Sequence, residues 1–451
     1  MSLASSRRLA PGPTGYPLMG VFPMARQDPL GFFMDCTRRY GDVVTMRLGA
    51  HRVYLLCHPD HVKHVLQDSP HTYVKSPTAT RVRALFGDSL TVVDGERWRQ
   101  RRRRVLPAFQ PSQYAHFSSV ISGATVDMLE RWQSPAERGE TVDLVSEMRR
   151  LTQTIIIRAC FGEVPSLEVE AVGQALDVAV AHVEERLWSP LAWMKLPTSG
   201  GARYRHALAA VEAFVSRRAS EARRATPPPH TMLGALLNAC TGAESLSAAE
   251  LNDELKALLV AGHTTTASAL AWAWYALSEH HDVRDRLEEE CRAVLHGRVP
   301  GIKEVSGLRY TRLVIDEVLR LYPPTWLTAR MPVAVDIVSG YSIPSGALVL
   351  LSPYLTHRHP AVWDDPEHFD PDRFMPARAA TRPAFAYIPF GGGPRRCIGS
   401  SFAIFEMQVV IATVAQRYRL SLLPGPPIFP IAGLTLRPGP IVRAQLHRTS
   451  A

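Results

Sequence analysis

The residues best suited to chemistry lie in one short stretch, Phe390 to Gly399, with the sequence F-G-G-G-P-R-R-C-I-G. Its cysteine, Cys397, follows a glycine-rich loop and precedes an apolar, helix-like segment that runs to Val414. A thiolate at a helix N-terminus is stabilised by unpaired backbone N–H groups and by the helix dipole. Glycines let the backbone approach a large flat ligand, and no catalytic base accompanies Cys397, so the pattern favours a metal ligand over a nucleophile. The alternative is a buried structural cysteine in a glycine-rich turn.

A second unusual stretch, Ala261 to Thr266, has the sequence A-G-H-T-T-T inside a long helix predicted over 247–279. Apolar residues flank it on both sides, which indicates a buried helix. Glycine loses backbone entropy in such a helix, and threonine hydroxyls compete for its backbone carbonyls. A local conflict of this kind in a core helix indicates a functional distortion. His263, within the stretch, is predicted to be structural, with a possible part in proton transfer.

Two further pairs of polar residues have helical spacing. Glu317 lies four residues before Leu321 and shares its inward face, so the carboxylate needs a partner, and Arg320 is placed to provide one. Trp98 and Arg102 are four residues apart, so an indole N–H and a guanidinium can reach one anionic group. Each pair therefore predicts a specific contact.

These stretches together resemble the cytochrome P-450 family, the heme-thiolate monooxygenases. The cysteine loop resembles the family's heme-binding loop F-x-x-G-x-R-x-C-x-G, and residues 261–266 resemble its oxygen-binding groove. The W-x-x-x-R and E-x-x-R motifs are also present, and all of these motifs occur along the chain in the same order as in the family. The resemblance covers essentially the whole chain. It implies a mainly α cytochrome P-450 fold, a single large α-helical domain over residues 1–451 with a small β region. Residues 1–28 form a proline-rich lead-in, and heme b lies between the helix 247–279 and the Cys397 loop.

The resemblance also assigns roles residue by residue. Cys397 is the axial ligand of the heme iron, and Arg373 joins Glu317 and Arg320 in a buried charge triad. Thr265 hydrogen-bonds dioxygen and helps to deliver protons. Thr264 stands where the family usually has an acid, so we expect a water chain to deliver protons. The other implied cofactor-binding positions are Trp98, Arg102, Ala261, Arg330, Phe390, Arg395 and Gly399. The implied substrate-cavity positions are Leu90, Thr91, Leu258, Trp326 and Leu327.

The implied reaction inserts one oxygen atom of O2 into a C–H or C=C bond of a hydrophobic molecule, of fatty acyl, terpenoid or polyketide type. Because the chain has no room for a flavin domain, electrons are expected from NAD(P)H through a separate ferredoxin or flavodoxin and its reductase. The basic face at Arg99 to Arg104 is the expected docking surface. Two alternatives remain. One is a heme-thiolate enzyme that uses peroxide or rearranges its substrate, and the other is a non-catalytic heme-binding sensor.

Composition narrows the class of protein. With 46% hydrophobic and 21% charged residues, the chain can build a large globular core. The net charge of +9 attracts anionic partners, but the basic run lies in a predicted helix without a nucleic-acid module. Six scattered cysteines favour a reducing compartment, and no signal peptide or long apolar run is present. We therefore expect a cytoplasmic monomer with no membrane anchor and no nucleic-acid partner.

Several local expectations can be compared directly with a structure. Arg99, Arg101 and Arg104 are expected on a solvated face, and His357 and His359 are expected to be structural rather than metal ligands. Apolar residues at 188–202 indicate a lid over the substrate, or side chains packed into the core. Strands are predicted at 43–48, 52–57, 333–338, 347–351 and 418–423. Helices are predicted at 29–40, 59–67, 95–106, 112–132, 143–161, 166–187, 203–224, 230–239, 247–279, 282–296, 308–321 and 398–417.

Overall fold

The structure, a computed structural model, describes residues 8–76, 82–187, 199–224, 230–238, 245–439 and 441–449. The chain divides into two compact units. The first consists of Met1–Arg81, Arg320–His368 and Pro376–Cys397, and the second of Val82–Leu319, Phe369–Met375 and Ile398–Ala451. Most of the predicted lid at 188–202 lies outside the described residues. Whether the chain is one domain stays a prediction.

Helices dominate the described residues, as the sequence predicts. In chain order they are α1 Phe22–Gln27, α2 Pro29–Tyr40, α3 Pro59–Lys63, α4 Arg83–Phe86, α5 Gly95–Val105, α6 Tyr114–Glu137, α7 Leu144–Phe161, α8 Ser166–Leu187, α9 Ser199–Arg224, α10 Met232–Asn238, α11 Ala248–Glu279, α12 His281–Leu295, α13 Ile302–Val305, α14 Arg309–Leu321, α15 Pro353–Thr356, α16 Pro376–Ala379 and α17 Ser400–Ala415. A π-helical turn, His64–Asp68, follows α3 directly.

Short strands form four sheets within the described residues. The strands are β1 Val43–Leu48, β2 His51–Leu56, β3 Tyr73–Lys75, β4 Thr141–Asp143, β5 Thr328–Pro332, β6 Asp336–Val338, β7 Tyr341–Ile343, β8 Leu348–Leu351, β9 Tyr418–Leu422, β10 Phe429–Ala432, β11 Leu436–Gly439 and β12 Arg443–Arg448. The first unit holds a five-stranded sheet in the order β1-β2-β8-β5-β3 and the β6–β7 pair. The second unit holds β4-β12-β9 and the β10–β11 pair.

The five-stranded sheet begins with the predicted hairpin. β1 and β2 pair antiparallel across Gly49, which has φ +59°, a conformation that glycine adopts without strain. β2 then pairs parallel with β8, and β5 pairs antiparallel with both β8 and β3. The inner strands β2 and β8 are buried along most of their length. The edge strand β3 of this sheet accepts one hydrogen bond from the cysteine loop, from Arg395 Nη1 to Tyr73 O.

The long helix α11 is the centre of the second unit. A capping box starts it: Ser247 Oγ accepts from Glu250 N at 3.2 Å, and Glu250 Oε2 accepts from Ser247 N at 2.9 Å. The helix is buried on most sides, as predicted, and α7 packs directly against it. A Cβ on Gly262 would lie 2.6 Å from Ile156 Cδ1 of α7, so glycine permits this close packing.

Some predicted bounds are wrong. One strand was predicted at 333–338, whereas the chain forms β5 before this segment and the short β6 and β7 at and after its end. The proline-rich lead-in contains α1, with Pro23 in its first turn, where the missing N–H breaks no hydrogen bond. α6 extends to Glu137, although Pro135 lies inside it.

Candidate functional site

The cysteine loop of the first unit is held by its own backbone. Cys397 N donates to Phe390 O at 2.9 Å, and Gly391 N donates to Ile388 O at 2.9 Å. Gly391 and Gly393 have φ +69° and +64°, which only glycine adopts readily. Cys397 is exposed, whereas the other described cysteines, Cys36 among them, are buried. The loop therefore presents one accessible sulfur on a preset backbone.

Gly393 is required for a second reason. A Cβ at this position would lie 2.0 Å from the carbonyl oxygen of Leu66, which belongs to the π-helical turn after α3. A Cβ on Gly392 would lie 2.3 Å from the ring of Phe385. At Gly391, by contrast, an added Cβ meets nothing within 4 Å. The loop packs too closely on its own unit to accept larger residues at two of its three glycines.

Two of the predicted cofactor-binding arginines lie near one edge of the five-stranded sheet. Arg395 Nη1 donates to Tyr73 O of β3 at 3.2 Å. Arg330 lies in β5, the strand that pairs with β3, and its Nη1 donates to Ala329 O at 2.9 Å and to Thr328 Oγ1 at 3.1 Å. Both side chains are half-buried. The structure therefore places two of the predicted cations of the first unit on neighbouring elements.

The predicted charge triad has two parts. In the second unit, Glu317 is fully buried, and its Oε1 lies 3.6 Å from Arg373 Nε and accepts from Asp370 N at 2.9 Å. Arg320, counted with the first unit, is also fully buried. Its guanidinium donates to the carbonyl oxygens of His357, Pro366 and His368 at 2.6 to 3.1 Å. Each of these buried charges thus has partners, as a stable interior requires.

His357 is a structural histidine. Its Nδ1 lies 3.1 Å from Arg320 O, and its Nε2 accepts from Ile388 N at 2.8 Å. Both ring nitrogens are therefore occupied, which leaves no lone pair for a metal.

The predicted oxygen groove lies at the middle of α11. Thr265 Oγ1 donates to Ala261 O at 2.8 Å, and Thr264 Oγ1 donates to Val260 O at 3.1 Å. From α7, Thr152 Oγ1 donates to His263 O at 3.1 Å. Three hydroxyls thus bind carbonyls that serve the helix ladder, which weakens the regular pattern locally. The conflict predicted from the sequence is visible in these contacts.

His263 is a neutral structural residue. It is fully buried, and its Nδ1 donates to Leu259 O at 2.8 Å. Burial lowers the pKa of His263 to about 4, so the ring stays uncharged near neutral pH. The neutral ring carries one proton, on Nδ1, and Leu259 O accepts it.

Sequence reasoning missed Glu406, which lies on α17 and is fully buried. Burial raises the pKa of this carboxyl well above its usual value, and the nearby Thr266 hydroxyl opposes the rise only in part. Among the described residues, neither carboxyl oxygen has a hydrogen bond of normal geometry. A buried carboxyl with a raised pKa thus lies beside the threonine stretch. The apolar sequence around Glu406 carried no motif that pointed to it.

The arginine run of α5 differs from the expectation. Trp98 and Arg102 share a face as predicted, with the guanidinium carbon 5.7 Å from the ring centre. The expectation that Arg101 is exposed is wrong: it is buried and pairs with Glu250 at 2.8 Å and Glu254 at 3.5 Å. These acids belong to α11, so Arg101 ties α5 to the start of that helix. Sequence alone could not show that two inward acids lie opposite one arginine of the run.

The predicted substrate-cavity residues fall into two groups. In the second unit, Glu254 also accepts from Leu90 N at 2.9 Å, so α11 positions the Leu90–Thr91 segment, while Leu258 is half-buried. In the first unit, Trp326 is buried, with its ring 6.5 Å from that of Phe33. Leu327 beside it is half-buried. That all of these line one cavity stays a prediction.

These donor groups fit an iron porphyrin. A thiolate is a strong iron ligand, and guanidinium groups match the two propionate carboxylates of the porphyrin. The exposed sulfur of Cys397 and the guanidinium groups of Arg330 and Arg395 supply both kinds of group within the first unit. In the part of the chain that the structure describes, no helix combines the length and apolar character needed to cross a membrane.

Comparisons with known proteins agree with this set of groups. The family model described as Cytochrome P450 matches residues 10–442. Cyclooctat-9-en-7-ol 5-monooxygenase of Streptomyces melanosporofaciens is 35% identical over 92% of this chain and 90% of its own length. Pentalenene oxygenase of Streptomyces avermitilis is 29% identical over 94% of both chains. The solved structure of retinoic acid bound cyanobacterial CYP120A1 superposes with a TM-score of 0.87 at 28% identity, covering 98% of this chain and 100% of that one.

Proposed function

The chain belongs to the cytochrome P450 family and is a P450 monooxygenase, and on that premise we propose that it oxygenates a cyclic terpenoid with electrons from a separate redox protein. The proposed substrate class rests on the names of the relatives. The chain is 35% and 33% identical to Cyclooctat-9-en-7-ol 5-monooxygenase and Cyclooctatin synthase, and it resembles Pentalenene oxygenase over nearly its whole length. Of the three substrate types that the sequence predicts, fatty acyl, terpenoid and polyketide-like, these relatives favour the terpenoid.

Heme b is the cofactor that the family implies, and when bound it would supply the chemistry of O2 activation, with its thiolate ligand pushing electron density that favours O–O cleavage. In the proposal, Cys397 provides the sulfur ligand on its preset loop. Arg330 and Arg395 would bind propionate oxygens, and Trp98 and Arg102 are the further residues that the family resemblance implies for this role. Glu317, Arg320 and Arg373 keep the surrounding backbone in place through their buried hydrogen bonds and ion pairs.

In this proposal, side chains of the second unit deliver the protons that the reaction consumes. The hydroxyl of Thr265 accepts a proton from water and passes one on at Oγ1, because a hydroxyl both donates and accepts. Thr264 has no titratable proton near neutral pH, so it only relays. Glu406 supports a second proton source, since burial raises the pKa of its carboxyl and favours the protonated form. Product formation therefore depends on Thr265 and on water rather than on an acid at position 264.

For the electron source we propose an acidic ferredoxin or flavodoxin, with its NAD(P)H-dependent reductase. The basic run is less strongly charged than its sequence suggests, because Arg99 pairs with Glu96 and Arg101 is buried. Arg103 stays exposed on α5. This leaves a smaller basic face for steering an acidic partner. Location in the cytoplasm, a monomeric state and the absence of a nucleic-acid partner remain predictions.

The substrate class is tested by binding and by turnover. The purified heme-loaded protein is titrated with cyclic terpene alcohols, fatty acids of similar carbon number and macrolide-type polyketides. Ligands that displace iron-bound water shift the heme absorption spectrum, and we expect saturable shifts for the cyclic terpene alcohols. Products formed with a surrogate ferredoxin and reductase are then identified by mass spectrometry. Shifts and hydroxylated products from fatty acids alone would refute the terpenoid assignment.

The same assay separates the alternative reactions. With reductant and O2, a monooxygenase adds one oxygen atom from labelled O2 to the product. A peroxide-using enzyme forms product from hydrogen peroxide without reductant, and a sensor consumes no reductant when the ligand is added. We expect labelled oxygen in the product and reductant consumption that depends on substrate.

A further inference from the structure

A cluster of metal-type ligands lies in the first unit, and it includes His359, which the sequence alone predicts to be structural rather than a metal ligand. Asp42 precedes β1, Cys57 follows β2, and His359 follows α15. One ligand atom from each residue lies within 4.8 Å of the ligand atoms of the other two. Three segments far apart in the sequence thus bring a carboxylate, a thiol and an imidazole to one point.

The distances between these atoms match a small metal ion. Zinc–ligand bonds of about 2.0–2.3 Å at tetrahedral angles place a sulfur and an oxygen ligand about 3.5 Å apart, and a nitrogen and an oxygen about 3.3 Å apart. Cys57 Sγ lies 3.6 Å from Asp42 Oδ1, and His359 Nε2 lies 2.9 Å from the same oxygen. The first distance fits without movement. The second requires the carboxylate to move by a few tenths of an ångström, which Asp42 can do because its side chain is 41% exposed.

The order of the three groups argues against thiol catalysis. A nucleophilic cysteine needs a histidine beside its sulfur to take the proton. Here the carboxylate of Asp42 lies between Cys57 and His359, hydrogen-bonded to both. A negative charge beside a buried thiol disfavours the thiolate unless a cation joins the group. A divalent metal is such a cation.

Two further histidines surround the cluster. The ring of His58 lies 5.0 Å from that of His359 and perpendicular to it, and its Nδ1 accepts from Asp60 N, so Nε2 takes no part in that bond. His61 lies 5.3 Å from His58, ring to ring, and its Nδ1 is buried without a hydrogen-bond partner among the described residues. His58 is 28% exposed, so solvent reaches its side chain.

We propose that Asp42, Cys57 and His359 bind one zinc ion, with His58 or a water molecule as the fourth ligand. Thiolate and imidazole ligands select zinc over magnesium and calcium, which prefer oxygen. On binding, the Cys57 S–H bond breaks, a sulfur–zinc bond forms, and that proton passes to the buffer. The proton that His359 carries on Nε2 moves through solvent to Nδ1, which gives up the hydrogen bond it accepts from Ala361 N at 3.3 Å, and the freed Nε2 lone pair binds the zinc. The ion joins both ends of the β1–β2 hairpin to the segment after α15, so its role is to stabilise the first unit.

The test uses the full-length, heme-loaded protein, because heme occupies Cys397. The protein is treated with EDTA, desalted, titrated with zinc chloride in a calorimeter, and passed through gel filtration before its zinc is measured by mass spectrometry. We expect one zinc per chain and a higher unfolding temperature in the presence of zinc. Cys57→Ser and His359→Ala should each weaken binding at least about tenfold.

Matched controls keep the result specific. Cys36→Ser removes another buried cysteine of the same unit, and His51→Ala removes an exposed histidine of β2, so both should bind zinc as the parent does. Should Cys57→Ser fold poorly, Asp42→Asn changes a half-exposed ligand instead and should show the same loss. If the parent protein retains no zinc after gel filtration, the proposal is wrong. Equal zinc binding by the parent, Asp42→Asn and His359→Ala would overturn it as well.

Discussion

The cysteine loop of the first unit and the threonine stretch of α11 hold their functional groups in different ways. In the loop the backbone does so, through the Cys397 N–H bond to Phe390 O and two glycines with positive φ. In the threonine stretch side chains do so, and each hydroxyl bond can be exchanged for another acceptor. Changes in the loop should therefore cost stability, whereas changes in the groove should alter chemistry with little loss of stability.

The largest effect is expected at Glu317, a buried carboxylate of the second unit to which no contact with the cofactor is assigned. Glu317→Ala removes a fully buried carboxylate and leaves Arg373 and Asp370 N without that acceptor. Breaking a buried pair costs roughly 3–5 kcal/mol, so little folded, heme-loaded protein should form. Heme per chain and urea unfolding measure this. Glu137→Ala is the control, because its ion pair with Arg448 is exposed and its loss should change little. Normal heme content in Glu317→Ala would contradict the supporting role.

The next effect separates two glycines of the same loop. Gly393→Ala combines a strained positive φ, about 1–2 kcal/mol, with a Cβ placed 2.0 Å from Leu66 O. Gly391→Ala has a similar φ but open space around the new Cβ, so only the backbone strain destabilises this variant. Heme retention on heating should fall clearly further in Gly393→Ala than in Gly391→Ala. Equal losses would show that the close approach to Leu66 does not constrain the loop.

In the groove, Thr265→Ala should leave folding intact and change the chemistry. The hydroxyl is lost, so fewer protons reach the oxygen substrate, and reducing equivalents are diverted to peroxide and water. We expect several-fold less product per NAD(P)H consumed, with unchanged heme content and unfolding midpoint. Thr154→Val is the matched control, because it removes a helix hydroxyl that donates to the carbonyl four residues back, as Thr265 does, but has no assigned role in proton delivery, so coupling should not change. If Thr265→Ala couples as well as the parent, the role proposed for Thr265 is wrong.

The sequence predicted features that depend on local spacing better than features that depend on partners distant in sequence. Cys397 and its glycines, and the bounds of long helices such as α7 and α11, follow from local spacing and capping. Arg101 and Glu406 were missed because their environments depend on partners distant in sequence: two acids of α11 for the first, and an apolar interior for the second. The strands β10 and β11 were missed as well, since each contains a proline, Pro430 and Pro438, and proline argues against a strand.

Glu406 provides a smaller, pH-dependent test of the groove. Its pKa is raised in the folded protein, so the folded state keeps a proton that the unfolded state releases above about pH 4.5. Stability therefore falls as pH rises from that value toward the raised pKa, by up to about 1.4 kcal/mol per pH unit. Glu406→Gln removes this slope and should be relatively more stable at higher pH. Urea unfolding at several pH values measures it, and an unchanged slope would show that Glu406 is not the group responsible.

The smallest effect is expected where neither region is touched, at the basic face of α5. Arg103→Ala removes an exposed charge, so an acidic electron donor should reduce the heme a few-fold more slowly at low salt. The difference should vanish at high salt, because screening removes steering between exposed charges. Arg443→Ala makes the same change in net charge on β12 and should leave the rate unaltered. If both variants slow reduction equally, net charge attracts the donor, and α5 is not its docking surface.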